Sequence, residues 1–249
     1  MEDQVPLKPA PSLGRMFTDV FTSPGEAFEA LRGTVSAPML WVVPMIVSVL
    51  LAAVFTFTIF NDATLRSQIL QMQQQAIEKA VREGRMTQDQ ADVASERLES
   101  GGTGLYMAIG MVAAVVAVAA FFFAGALFVW LAGKVFLKTP EGYSAHLEMY
   151  GSAEWIGILG SIVTLLMMVG LGSMYARPGG SLLVLSTFDA SSTFHKLLAA
   201  VTIFGFWQTA VVGIGLAKLA GKSAIAGLGP AFGLWIVWVL IQAFVGIGT

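Results

Sequence analysis

The sequence contains no cysteine and little charge. Without a thiol there is no disulfide, no thiolate nucleophile and no cysteine-bound metal. Charged residues make up 12% of the chain, against about 25% in a soluble domain, which is too few to clothe a water-facing surface. The net charge of −2 supplies no basic field for nucleic acid. No Ser-His-Asp arrangement, dinucleotide glycine pattern or metalloprotease motif is present, so an enzyme reading has no constellation to stand on and no cofactor is expected.

One stretch imitates a nucleotide loop. "GLAKLAGKSA", from Gly215 to Ala224, ends in Gly-Lys-Ser, but a phosphate loop needs a glycine four intervening residues before that triplet. Here Gly215 and Gly221 are separated by five residues, and the stretch joins two apolar runs instead of following a short strand. No nucleotide is expected.

What the chain has in abundance is long hydrophobic runs. Hydrophobic residues reach 56% of its 249 residues, and mean hydropathy is +0.74. Five runs, near residues 38–60, 105–131, 147–171, 197–219 and 224–247, are long enough to cross a bilayer, which takes about 20 residues of helix. The expected fold is an all-α integral membrane protein: a five-helix transmembrane bundle with N-terminal amphipathic helices and an extramembrane helical hairpin. No apolar core precedes residue 38, so the first span is expected to act as an uncleaved insertion signal.

Lys and Arg distribution sets the expected orientation. The short loop after the second run carries Lys134 and Lys138, the loop after the fourth carries Lys218 and Lys222, and the N-terminal segment carries Lys8, Arg15 and Arg32. These share one side, read as cytoplasmic. The long loop on the other side has Arg66, Lys79, Arg82, Arg85 and Arg97, interleaved with Asp and Glu. The reading is a bacterial inner-membrane protein with its N-terminus cytoplasmic and its C-terminus outside. "GLAKLAGKSA" then becomes a tight cytoplasmic hairpin whose interfacial Lys218 and Lys222 meet anionic headgroups.

Residues 1–37 are organised. In "SLGRMFTDVF", Leu13, Met16, Phe17, Val20 and Phe21 recur on one helical face. In "SPGEAFEALRG", Ser23, Pro24 and Glu26 form a helix start and Gly33 a stop. Two short helices with interfacial Phe17 and Phe21 follow, lying in the headgroup layer or packed on the ends of the spans. The insertion 61–103 reads as a helical hairpin. Ile69, Met72, Ala76 and Ala80 form a narrow stripe, a candidate partner surface beginning from Leu65. Gly84 breaks the first helix, Thr87 with Gln90 starts the second as a capping box, and Gly101, Gly102 and Gly104 return the chain to the membrane.

Chemistry within the spans is sparse. Glu154 is an intramembrane carboxylate and hence a functional candidate, with Gln208 and Gln242 as the other intramembrane polar candidates and Thr164 and Thr209 beside them. His146 and Glu148 fall at the membrane edge, where water solvates them. His195 is expected on the opposite side, so a two-histidine metal site is not expected. Small residues such as Gly157 with Gly160, and Gly229 to Gly233, suit close helix packing, within the bundle or between copies. Pro44 and Pro230 suggest kinks.

"FTSPGEAFEALR" followed by "APMLWVVPMI", and then "IFGFWQTAVVGIGLAKLAGKSAIAG", resemble bacterial members of the Yip-domain family, five-span relatives of proteins that interact with Ypt/Rab GTPases. The resemblance covers most of residues 13–249 and is strongest over residues 207–222. The Asp-Leu-Tyr-Gly-Pro motif of eukaryotic members is missing. The resemblance implies five spans, a cytoplasmic N-terminus, an outside C-terminus and no catalytic residue; some bacterial relatives are linked to ABC-type export. The resulting expectation is a non-enzymatic scaffold or accessory subunit, embedded in the lipid bilayer and associating with other membrane proteins or with itself. The alternative is a small transporter or channel with Glu154 in the ion or proton path.

Overall fold

The computed structural model describes residues 8–100 and 103–245. Among them every element is helical apart from two isolated bridges, Lys8 with Thr34 and Gly179 with Thr202. The chain opens with α1 (Leu13–Thr22) and α2 (Pro24–Leu31). The Ser12 side chain caps α1 by accepting from the Arg15 amide at 3.3 Å, and Pro24 starts α2 where its missing N–H is no loss. Next come α3 (Met39–Asn61), the hairpin of α4 (Ala63–Arg82) and α5 (Gln88–Ser100), and α6 (Thr103–Ala132), which runs on through a π turn at Gly133–Leu137. The remainder is α7 (Tyr143–Leu171), a 3-10 helix at Gly180–Thr187, α8 (Thr193–Ala200), α9 (Ile203–Leu219), a 3-10 turn at Ala224–Gly227 and α10 (Leu228–Val245).

Among the described residues, four helical segments are long and apolar enough to cross a membrane: Met39–Asn61, Met107–Leu137, Tyr143–Leu171 and Ala224–Phe244. At about 1.5 Å per residue each covers the roughly 30 Å hydrocarbon core. Large apolar side chains such as Leu50, Val112, Phe128, Leu166 and Phe244 stand exposed on them, as lipid-facing residues do. The protein is a multi-pass membrane protein.

The fifth expected run, 197–219, is divided. It contains the last turn of α8 and the 17-residue α9, with extended backbone at Val201 and Thr202 between them. Three consecutive β-branched residues, Val201, Thr202 and Ile203, stand at the break, and the Thr202 hydroxyl caps α9 by accepting from the Gly205 amide at 3.0 Å. The segment 178–180, extended at Gly179 and entering a 3-10 helix at Gly180, fills the gap. Gly180 N–H donates to Val201 C=O at 3.1 Å, and Ile203 N–H donates to Pro178 C=O at 2.9 Å. A Cβ on Gly179 would collide with the Val201 carbonyl oxygen, so glycine permits the approach. Both α8 and α9 pack along α10, one after the other.

The two N-terminal helices lie on the bundle. Met16, Val20, Phe28 and Leu31 are buried in one core with Met149, Ala153, Ile156, Val212, Leu216 and Leu219. The Phe17 ring meets Trp155 edge-on with centroids 5.0 Å apart, and Phe21 meets Trp207 at 5.7 Å. Burial of His146 and Glu148 departs from the expected solvated edge. The Glu148 carboxylate accepts from Ser36 Oγ at 2.7 Å and from the Ala37 amide at 2.8 Å, so the chain entering α3 covers it. Pro230 is the third residue of α10, in its first turn, and introduces no interior break, whereas Pro44 lies buried inside α3.

The hairpin follows the expected local rules. Gly84 takes a φ of 68° after α4, and Thr87 and Gln90 form the reciprocal cap, with bonds of 3.3 and 3.0 Å. The stripe divides: Ile69 joins the cluster of Ile59, Leu65 and Met168, Met72 and Ala80 are half-buried, and Ala76 is exposed. Gly104 belongs to α6, while Gly101 and Gly102 lie outside the described residues.

Candidate functional site

The centre of interest is built on α7, where Glu154, Gly157, Ser161 and Thr164 follow one another at helical spacing on one face. Glu154 is half-buried. Its Oε2 accepts from Gln208 Nε2 of α9 at 2.9 Å, and its Oε1 accepts from Ser48 Oγ of α3 at 3.4 Å. Three helices thus converge on one carboxylate through neutral donors, and no ion pair among the described residues involves it. Gly157 makes room for the contact, because a Cβ there would stand 2.9 Å from Gln208 Oε1.

Two cavities meet at this residue. The larger, about 480 Å³, lies among α3, α6 and α7 and is walled mainly by aliphatic and aromatic side chains, including Leu51, Phe55, Val118 and Phe122. The smaller, about 260 Å³, lies between α7 and α9 and is lined by Thr164, Thr202, Gln208 and the glycines 157, 160 and 205, with Pro178 at its edge. Glu154 and Ser161 line both.

The cavities extend from Glu154 toward the end of the bundle that carries α4 and α8, since their walls reach Ile59 on one side and Pro178 and Thr202 on the other. Toward α2 the bundle is closed. Met149, Ala153, Ile156 and Leu216 have no exposed surface there, and Phe28 and Met16 of the N-terminal helices pack against them. Phe17 and Phe21 touch Trp155 and Trp207, the residues next in sequence to Glu154 and before Gln208. The N-terminal helices therefore pack beside the polar layer.

The other sequence candidates are placed elsewhere. Gln242, on α10, lines neither cavity. Lys218 Nζ donates to Glu29 Oε2 at 2.6 Å and fastens α2 to the end of α9, while Lys222 is exposed in the following turn. Burial of His146 is complete, with Nδ1 2.8 Å from the Gly142 carbonyl, and no group of three metal-ligating side chains occurs among the described residues. Reasoning from sequence missed Ser48 and Ser161. The α7 spacing of Glu154, Gly157, Ser161 and Thr164 is the signal that marks Ser161; nothing local marks Ser48.

Searches against family models, curated proteins and solved structures find no match to this chain.

Proposed function

We propose that the protein is a small membrane transporter in which Glu154 takes up and releases a proton or a cation. The observation that carries this reading is a carboxylate held by neutral donors at the point where two cavities meet. An ionised carboxylate in hydrocarbon costs about 2.5–3.5 kcal/mol or more, so it persists with a proton or a counter-charge. A carboxylate beside two cavities along the spans, next to a broken helix, is the kind of place where secondary transporters hold their coupling ion.

In the same proposal, α8 and α9 together make a fifth, broken crossing beside α10. Broken crossings are tolerated where the freed backbone is satisfied within protein, as the bonds between 178–180 and 201–203 satisfy it here. The N-terminus and the Lys218–Lys222 turn face the cytoplasm of a bacterial inner membrane, and the C-terminus faces outward, on the basic residues of the short loops. Membership of the Yip-domain family belongs to this proposal through the residues that resemble it. Infrared difference spectra between acid and alkaline pH test the central claim. Wild type is expected to show a protonated-carboxyl band that Glu154→Gln lacks; identical spectra from both would reject Glu154 as the exchanging group.

A second reading, a scaffold or accessory subunit of an export complex, is favoured by Leu70 and Val93, which stand exposed on the α4–α5 hairpin. They are apolar groups offered on an extramembrane element, as a partner surface requires.

A further inference from the structure

We infer that the 480 Å³ cavity beside Glu154 is a binding site for an organic cation, a protonated amine carried on a compact apolar body. The inference rests on Glu154 being the ion site proposed above and names the ligand class that this site takes. Three features converge on it. The volume falls within the roughly 300–1,000 Å³ of small-molecule pockets. The wall is apolar over most of its area, with Leu51, Val118 and Ile158 beside the rings of Phe55, Phe121 and Phe122, and aromatic rings attract cations. The one carboxyl group in the wall is Glu154, with the Ser48 hydroxyl bonded to it and the Tyr150 phenol one helical turn away.

Other occupants match one half of this site and not the other. A proton or bare metal ion makes no use of an apolar chamber. An acyl chain fills the chamber and leaves the carboxylate without a counter-charge, and an anion is repelled by it. A protonated amine answers both, placing its ammonium on Glu154 and its apolar body among the rings. When it binds to the protonated carboxyl, the O–H bond of Glu154 breaks and the proton passes to water. The smaller cavity, lined by Thr164, Thr202 and Gln208, offers the polar route for it.

The test uses the full chain in nanodiscs of phosphatidylcholine, a lipid without net charge, and radiolabelled adamantan-1-amine. Binding is expected to saturate at one amine per chain. Adamantan-1-ol, the neutral analogue of the same shape, should compete at least about tenfold more weakly, and Glu154→Gln should lose at least about tenfold in amine affinity. Ala117→Phe, which fills the chamber wall, should lose binding while keeping the pH-dependent carboxyl band. Adding amine to wild type should diminish that band. Absence of saturable binding, or equal competition by the alcohol as for an acyl-chain site, would overturn the inference, as would full amine affinity in Ala117→Phe. A pH-dependent band that amine leaves unchanged sinks the organic cation alone; a band absent from wild type sinks the proton reading beneath it.

Discussion

At the scale of single residues, the membrane interior is organised by the pair of Glu154 and Gln208. The 2.9 Å bond between them joins α7 to α9 beside the hydroxyls of Ser48, Ser161, Thr164 and Thr202. Removing one partner of a buried hydrogen bond leaves the other unsatisfied, which costs about 1–3 kcal/mol, and more when that group is charged. Gln208→Leu is therefore expected to destabilise the protein by that amount, read as a lower unfolding midpoint in detergent. Glu154→Leu with Gln208→Leu should cost less than the sum of the two single changes, because either change alone already breaks the bond. Strict additivity in this cycle would mean that the bond contributes nothing of its own. Gly157 belongs to the same unit, since its lack of a side chain lets Gln208 lie against α7.

At the scale of elements, the N-terminal helices are fastened by packing and by one ion pair. The Lys218 ammonium, bonded to Glu29 and aided by Arg32, holds the Glu29 carboxyl below the usual carboxylate range. A carboxyl whose pKa is lowered by folding supports the folded arrangement above its unfolded value and loses that support as pH falls through the folded one. Protease cleavage within residues 12–33 should accordingly rise as the pH drops below the ordinary carboxylate range, and Glu29→Gln should flatten the dependence. A steep acid response that survives in Glu29→Gln would assign the effect to another group. Both helices were legible in the sequence because their signals are local: apolar spacing over residues 13–21, and Pro24 at a first turn, although Ser23 before it makes no side-chain capping bond. Their seat on the bundle was not, since the same apolar face fits a headgroup layer. The break between α8 and α9 was hidden for a different reason. Val201, Thr202 and Ile203 read as part of an apolar run, and what holds them extended is segment 178–180, which is distant in sequence. In the site, Glu154 and Gln208 stood out as polar residues in apolar runs, whereas Ser48 becomes significant only through the way α3 packs on α7.

At the scale of the whole molecule, the question is whether the bundle or the α4–α5 hairpin carries the function. The root of the hairpin is part of the bundle. Leu65 is fully buried, and the Gln68 side chain bridges α4 to the end of α7, donating to the Gly172 carbonyl at 2.8 Å and accepting from the Met174 amide at 3.0 Å. The distal part, by contrast, is mostly exposed and touches the rest of the molecule little. Deleting residues 70–96, which spares Leu65, Gln68 and Ile69, should leave the spans inserted and the carboxyl band of Glu154 intact, because none of the membrane-crossing length or cavity wall is removed. The transporter reading expects this deletion to keep the growth phenotype of wild type and Glu154→Gln to lose it. The scaffold reading expects the reverse, since Leu70 and Val93 leave with the hairpin while Glu154 is only a packed polar residue. Both variants, expressed to equal levels in a strain lacking the protein and compared in one phenotypic assay, decide between the two. Loss of function in the deletion beside a normal Glu154→Gln would overturn transport and place the activity on the hairpin.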